Sequence, residues 1–529
     1  IADDWKASDR LTISLNLRLE NYANPSCDQD CFSRLTSTFT GAGNPTALST
    51  PYNQMIISGQ HNAYANTQTV VWEPRIGIAW RPFKNDKTVI RTGAGIFGDN
   101  LPGGLAENAA FNAPNLLAFQ EPASVLAPGV PGSPFTAAAS ANAALQAQFH
   151  NGGSFNSIQA ALPGFTAPNF SNFPNTFKQP RYYKWNFEIQ QDLGWKTLLT
   201  LNYSGMHGSQ LPIADFGLNG YCPPGPGSPC PNGFAGLPAA PANAALGVVN
   251  QYLNGGTASY QGLTASLQRR LSAGLTFTVN YTWSHALDDV SNGGIANEYY
   301  SANATNLSLT EAQNPYNYRA NYGNSDYDVR NYFSANMVLI DSFRHLGLKW
   351  GPNQVFGGWT LSTNWFARSG LPFSVIDGSA GGALGALNYA GPIFAQPITA
   401  VNSNNCGNGA VNTPCLSPSQ FAPAFGSTGV LTGFGAGSRN AYRGPGFWDV
   451  DLSLMKDIRI KERLTFTFGA QAYNLFNHAN FDNPVDDVSN AALFGSVIST
   501  VSPPTSLLGS FLGAGGSPRF LEIKGALRF

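Results

Sequence analysis

Six cysteines fall in three local pairs, Cys27/Cys31, Cys222/Cys230 and Cys406/Cys415. An even count in close pairs points to disulfides and an oxidising compartment. The rival chemistry is metal binding, but no histidine neighbours any pair in sequence and two of the spacings are too long for a usual zinc knuckle. Local pairing is the simplest connectivity. Gly93-Ala94-Gly95-Ile96-Phe97-Gly98 has the spacing of a dinucleotide fingerprint and follows the strand-like Thr88–Thr92. That fingerprint needs a helix next, to offer its N-terminus to a pyrophosphate. Asp99-Asn100-Leu101-Pro102-Gly103-Gly104 breaks a helix instead, so the glycines read as small residues in a strand. Asp288/Asp289, Asp486/Asp487 and Asp326-Tyr327-Asp328 could face a Ca²⁺ ion but lack EF-hand spacing, and they read as solvated loop ends. His61, His150, His207, His285, His345 and His478 are scattered. There is no G-x-S-x-G elbow, P-loop or H-E-x-x-H. The expectation is no catalytic residue, no cofactor, no metal site and no enzyme.

Other features step back from chemistry to architecture. In 529 residues only 11% are charged, while 12% are aromatic. Soluble domains carry roughly 25% charged residues. The net charge is −1 without a basic run, which leaves nucleic acid without a partner surface here. No apolar run reaches the length of about 18 residues that a membrane helix needs. Low charge without apolar runs suits a membrane barrel, where lipid-facing and lumen-facing residues alternate and average out.

The alternation is explicit. Leu275, Phe277, Val279, Tyr281 and Trp283 share one parity, and Thr276, Thr278, Asn280, Thr282 and Ser284 the other. Leu11 to Glu20 does the same, as do Trp448, Val450, Leu452 and Leu454 against Asp449, Asp451 and Ser453. These lengths match a membrane-spanning strand of roughly 9–11 residues. Predicted hairpins are 72–82 with 88–98, 181–192 with 196–206, 260–271 with 275–287, 447–459 with 463–477 and, more loosely, 328–341 with 356–370. With 10–21 first and 519–529 last, the count is about twelve strands.

Between hairpins lie segments rich in Gly, Pro, Asn, Ala and Ser: roughly 22–71, 99–180, 207–259, 288–327, 371–446 and 478–518. Loops beyond about 12–15 residues are uncommon unless functional. Short turns alternating with long loops are the asymmetry of an outer-membrane barrel, with turns periplasmic and loops extracellular. All three cysteine pairs then fall on the outer side. The ten tryptophans lie in or beside predicted strands or turns, as aromatic girdles require. Arg91 and Arg269 are expected on the apolar parity near a turn, where they can snorkel. Arg18, Glu20, Arg75, Arg81, Glu188, Arg270, Asp449, Asp451, Glu522, Lys524 and Arg528 are expected to face a polar lumen.

Phe466-Thr467-Phe468-Gly469-Ala470-Gln471-Ala472-Tyr473-Asn474-Leu475-Phe476-Asn477 resembles the penultimate-strand signature of TonB-dependent outer-membrane receptors. Gly525-Ala526-Leu527-Arg528-Phe529 resembles that family's closing strand, and Asp4–Glu20 one of its middle strands. The long Gly/Asn/Pro-rich loops resemble the Oar-like subgroup. The resemblance implies an all-β, antiparallel transmembrane barrel of twenty-two strands, of which residues 1–529 would be the C-terminal portion. Signal peptide, plug, coupling box and N-terminal regulatory-like domain are absent from these residues, and Ile1 reads as a cut. It further implies that Leu521, Ile523, Leu527 and Phe529 form the signal read by the barrel-insertion machinery.

The expected function is outer-membrane transport. Extracellular loops would bind a scarce, bulky ligand (siderophore, peptide, oligosaccharide or cobalamin) and the lumen would pass it inward. Outer-membrane lipid and, through the missing N-terminal region, a TonB-type energy-coupling complex are the implied partners. The alternative is a structural or adhesive surface barrel.

Overall fold

The structure is a computed structural model that describes residues 2–36, 39, 47–68, 70–100, 103–115, 134–215, 217–289, 291, 312–345, 347, 351–389, 391, 393–402, 405–408, 413–422, 429–461, 464–501 and 518–529. Trp350 and Glu462, placed by the sequence beside a strand and in a turn, lie outside these residues.

Among the described residues, thirteen strands form one antiparallel path in which each pairs with its neighbours in sequence. They are β1 (Ala2–Ser8), β2 (Leu11–Asn21), β3 (Val70–Trp80), β4 (Thr88–Gly98), β5 (Arg181–Gly194), β6 (Thr197–Asp215), β7 (Val249–Ser272), β8 (Leu275–Asp288), β9 (Asn331–Ile340), β10 (Trp359–Arg368), β11 (Phe447–Lys461), β12 (Leu464–Tyr473) and β13 (Phe520–Arg528). Two short strands, Phe170–Asn172 and Gly323–Asn324, add to β7 and β8. Twelve strands coincide with the expected ones. The extra one is β1, which the reading of the sequence left outside its strand count. Its alternation is weak, with Asp3, Asp4 and Lys6 in seven residues, and pairing with β2 supplies its hydrogen bonds.

The turns are short at one end. Ala273 and Gly274 join β7 to β8 with φ of 49° and 77°, the left-handed pair a two-residue hairpin demands. The β9–β10 connection is longer and holds two helical turns, Ser342–His345 and Asn353–Phe356. At the other end six long connections gather: L1 (22–69), L2 (99–180), L3 (216–248), L4 (289–330), L5 (369–446) and L6 (474–519).

Register assigns the faces. Leu17, Leu15 and Ile13 sit opposite Pro74, Ile76 and Ile78, and Val279 sits between Leu267 and Ala335. This apolar face is uncovered: Trp283 is 61% exposed and Trp72 58%. One expectation fails here. Arg91 is opposite Ala79 and Glu188 and pairs with Glu188 at 3.2 Å, so it belongs to the polar face. The parity of β4 was misread because its glycines carry no hydrophobic signal. Arg269 does lie on the apolar parity, opposite Phe277 and next to the turn.

The buried apolar core sits in the long connections. One cluster joins Tyr52 and Ile56 of L1, Leu145 and Phe149 of L2, and Leu246 of L3. Another joins Phe32 and Tyr64 of L1 to Leu105 and Phe177 of L2. A third joins Phe234 of L3 to Leu384 and Tyr389 of L5, and a fourth joins Phe373 and Phe421 of L5 to Phe494 of L6. Each large apolar side chain buried this way contributes about 1.5–3 kcal/mol. Buried amides stitch the same seams: Asn112 of L2 donates to the Ser33 carbonyl of L1 at 3.0 Å. The long segments contain helices, chiefly Pro134–Phe149, but remain connections at one end of the sheet.

Candidate ligand-binding face

The polar face is divided by charge. On β2–β5 it carries Arg18 paired with Glu20, Glu73 paired with Arg75 at 2.6 Å, and the Arg91–Glu188 pair. The Arg75 guanidinium lies 4.2 Å from the Phe97 ring, and its stem crosses Gly95, where a Cβ would meet Cγ at 2.8 Å. The glycine-rich motif therefore serves packing, inside β4. On β6–β9 the same face carries hydroxyls and amides. Thr264 and Thr282 bond at 2.8 Å, and Ser266 donates to Asn280 at 2.7 Å.

At the loop end of β6–β9 lies a pocket of about 530 Å³. Met206, Tyr260, Thr282, Ser284 and Tyr332 line it from the strands, and Ser325, Tyr327 and Val329 line it from L4. A second, charged recess of about 430 Å³ is lined by Arg18, Glu20, Tyr22 and Asp99.

Behind the first pocket is a buried ion network. Arg439 of L5, 3% exposed, donates to the Asp288 carboxylate at 2.6 Å, the Asn321 carbonyl at 2.9 Å and Ser291 Oγ at 3.0 Å. Arg443 donates to the Asp328 carboxylate, which also accepts from Arg330 Nε at 2.9 Å and the Ala286 N–H at 2.7 Å. Burial works against the Asp328 charge, but the Ala286 N–H, Arg443 and Arg330 outweigh it and hold its pKa below the ordinary carboxylate value. Asp289 behaves oppositely: burial outweighs its bonds from Thr257 and pushes its pKa up. These acidic residues were expected to be solvated loop ends. Asp288 and Asp328 are fully buried because Arg439 and Arg443 of L5, far away in sequence, neutralise them, while Asp289, 1% exposed, accepts from the Thr257 N–H of β7 at 2.6 Å.

The cysteines lie as paired: Cys222–Cys230 at 1.98 Å and Cys406–Cys415 at 1.95 Å between sulfurs, with Cys27 bonded to Cys31. All six sit in L1, L3 and L5, and Cys222 and Cys230 pack in the L3–L5 cluster.

The family described as outer membrane beta barrel domain matches residues 1–507. The chain belongs to that family. Among solved structures, the barrel domain is similar to the Pseudomonas aeruginosa ferric enterobactin receptor (10% identity, TM-score 0.41, all of this chain and 44% of that one). It is similar to the ferripyoverdine receptor of the same organism (10% identity, TM-score 0.42, 100% of this chain and 37% of that one). It is also similar to the Escherichia coli outer-membrane transporter YddB (10% identity, TM-score 0.39, 87% and 41%). The chain spans less than half the length of each. No curated protein matches.

In an outer-membrane barrel the apolar face meets lipid, the polar face lines the lumen, and the long connections are extracellular. Tryptophan follows that geometry. Trp80, Trp195 and Trp359 lie at the turn end, while Trp72, Trp283 and Trp448 lie toward the loops. Lys456 stands on the lipid parity, a position that sequence reasoning overlooked. Its ammonium folds back to the Gly357 carbonyl and lies 5.4 Å from the Trp359 ring centre. Leu521, Ile523, Leu527 and Phe529 lie on the lipid parity of β13 and its end, and Phe529 is 93% exposed.

Proposed function

We propose that this barrel domain is the C-terminal portion of a TonB-dependent receptor of the Oar-like type, which binds a bulky extracellular ligand with its loops and passes it through the lumen. The observation that carries the reading is the loop assembly. Five of the six connections share buried cores, L4 is tied to L5 by the Arg439–Asp326 and Arg443–Asp328 pairs, and together they stand over a lumen wall that contains an open pocket. Loops held on a rigid scaffold are where binding residues concentrate. The residue resemblances in β12 and β13 supply the family, and the ferric enterobactin and ferripyoverdine receptors illustrate the kind of protein.

Strand direction supports the portion reading. β1 and β13 both run from the loop end to the turn end, and among the described residues neither outer edge has a partner strand. Joined to each other they would pair parallel. An all-antiparallel closed barrel needs an odd number of further strands between them, and exposed edges cannot persist in hydrocarbon.

Energy coupling would come from a TonB-type complex acting on residues outside this chain. The exposed β13 end, with Leu521, Ile523, Leu527 and Phe529, would be read by the insertion machinery. The test compares cells with and without the protein for solute accumulation and for adhesion. Accumulation in its presence supports a receptor. Adhesion without accumulation supports the structural alternative.

A further inference from the structure

The lumen wall beneath the loops is uncharged over a tract four strands wide. Register aligns it in three rows: Asn202, Thr264, Thr282 and Tyr332; Thr200, Ser266, Asn280 and Ser334; Leu198, Gln268, Thr278 and Asn336. None is acidic or basic. The rows on β2–β5 instead hold Arg18 opposite Glu73, and Arg91 opposite Glu188. The neutral tract leads up to the 530 Å³ pocket.

Three tyrosines furnish that pocket. Tyr260 lies across Gly262, where any side chain would collide with its ring, so the ring is laid along the wall. Tyr332 is braced edge-on by Phe366 at 5.2 Å between centroids. Tyr327 enters from L4, on the segment fixed by Asp326 and Asp328 through the buried ion network. Among the described residues none of these three hydroxyls makes a hydrogen bond to protein, whereas the pocket's Thr264 and Thr282 bond each other. Rigid aromatic faces with free hydroxyls, rimmed by Ser and Thr, offer apolar platforms and neutral donors and acceptors together. An anionic ligand would call for arginine or lysine in reach, and the pocket lining has neither.

We infer that this lumenal pocket binds an uncharged, polyhydroxylated ligand, a neutral saccharide, whose C–H faces stack on Tyr260 and Tyr332 and whose hydroxyls bond the Tyr327 hydroxyl and donate to Ser284 Oγ, whose own proton goes to the Val329 carbonyl. The inference rests on the receptor reading and names its ligand class. The charged recess at Arg18 and Asp99 is a separate surface.

The whole receptor, with any upstream residues its gene encodes, is folded in detergent, checked by heat-modifiable gel mobility, and titrated with uncharged hexasaccharides of glucose, xylose and N-acetylglucosamine and with an anionic ferric tris-catecholate. The expected result is saturable binding of at least one saccharide, insensitive to salt. Tyr332→Ala weakens it about tenfold or more through the lost stacking area, and Tyr332→Phe largely retains it. Saccharide binding that Tyr332→Ala and Tyr260→Ala leave unchanged overturns the site. Salt-sensitive binding of the catecholate alone overturns the ligand class but leaves the receptor reading standing. Binding of neither probe overturns the inference, and the accumulation assay then judges the receptor reading separately.

Discussion

Arg439 and Asp288 meet at 2.6 Å, 151 positions apart in the chain, with both side chains essentially sealed from solvent. The bond ties L5 to the end of β8. It also backs the L4 segment that lines the lumenal pocket, since Arg439 reaches Asp326 at 3.4 Å. Removing one partner strands a buried charge, which costs about 3–5 kcal/mol, while replacing both is far milder. Arg439→Met should therefore open L5 to limited proteolysis while the strands stay folded. Adding Asp288→Asn to it should restore much of the protection.

L6 carries a carboxyl group with the opposite problem. Asp486 is 6% exposed and one of its oxygens has no hydrogen-bond partner. Burial, with Asp487 adding to it, pushes its pKa up to about 7. A carboxyl whose folded pKa lies above its unfolded one binds its proton more tightly when folded. The penalty is therefore absent below the unfolded value of about 4, grows as pH rises, and is complete above about 7. Loop protection in hydrogen exchange should be greater at pH 5 than at pH 8. Asp486→Asn should flatten that difference and protect L6 at pH 8.

The face assignment makes adjacent residues behave differently. Val279 faces lipid and Asn280 the lumen. An arginine facing lipid near mid-bilayer costs about 2–4 kcal/mol, and one facing the lumen much less. Val279→Arg should lower the unfolding midpoint in denaturant clearly, and Asn280→Arg should barely move it. Equal effects would mean that the sheet is not a membrane wall.

Phe529 ends the chain on the lipid parity, beyond the last residue of β13. If the insertion machinery reads this end, deleting Phe529 should reduce surface-exposed protein several-fold in cells while refolding in detergent is little changed. A matching loss in both assays would make the residue merely structural.

Much of this was legible in the sequence, and unevenly so. Strands β2, β8 and β11 announce themselves because lipid and lumen impose opposite demands on alternate residues. β1 and the loopward halves of β6 and β7 lie where that contrast fades, and β7 runs on to 24 residues. The faces of β4 were obscured by Gly93 and Gly95. The buried network was illegible because Asp288, Asp328, Arg439 and Arg443 look like ordinary loop charges until L5 folds back over β8. The tyrosine pocket needs register, which places Tyr332 beside Thr282 and Tyr260 beside Met206. Spacing along any one strand could not bring them together.

The most direct test of the receptor account is uptake. The whole receptor, with any upstream residues its gene encodes, is expressed in an otherwise receptor-deficient outer membrane and given a radiolabelled ligand. The account predicts that accumulation stops when the proton gradient is collapsed, while binding at the cell surface persists. Accumulation that continues unchanged without the gradient would contradict it.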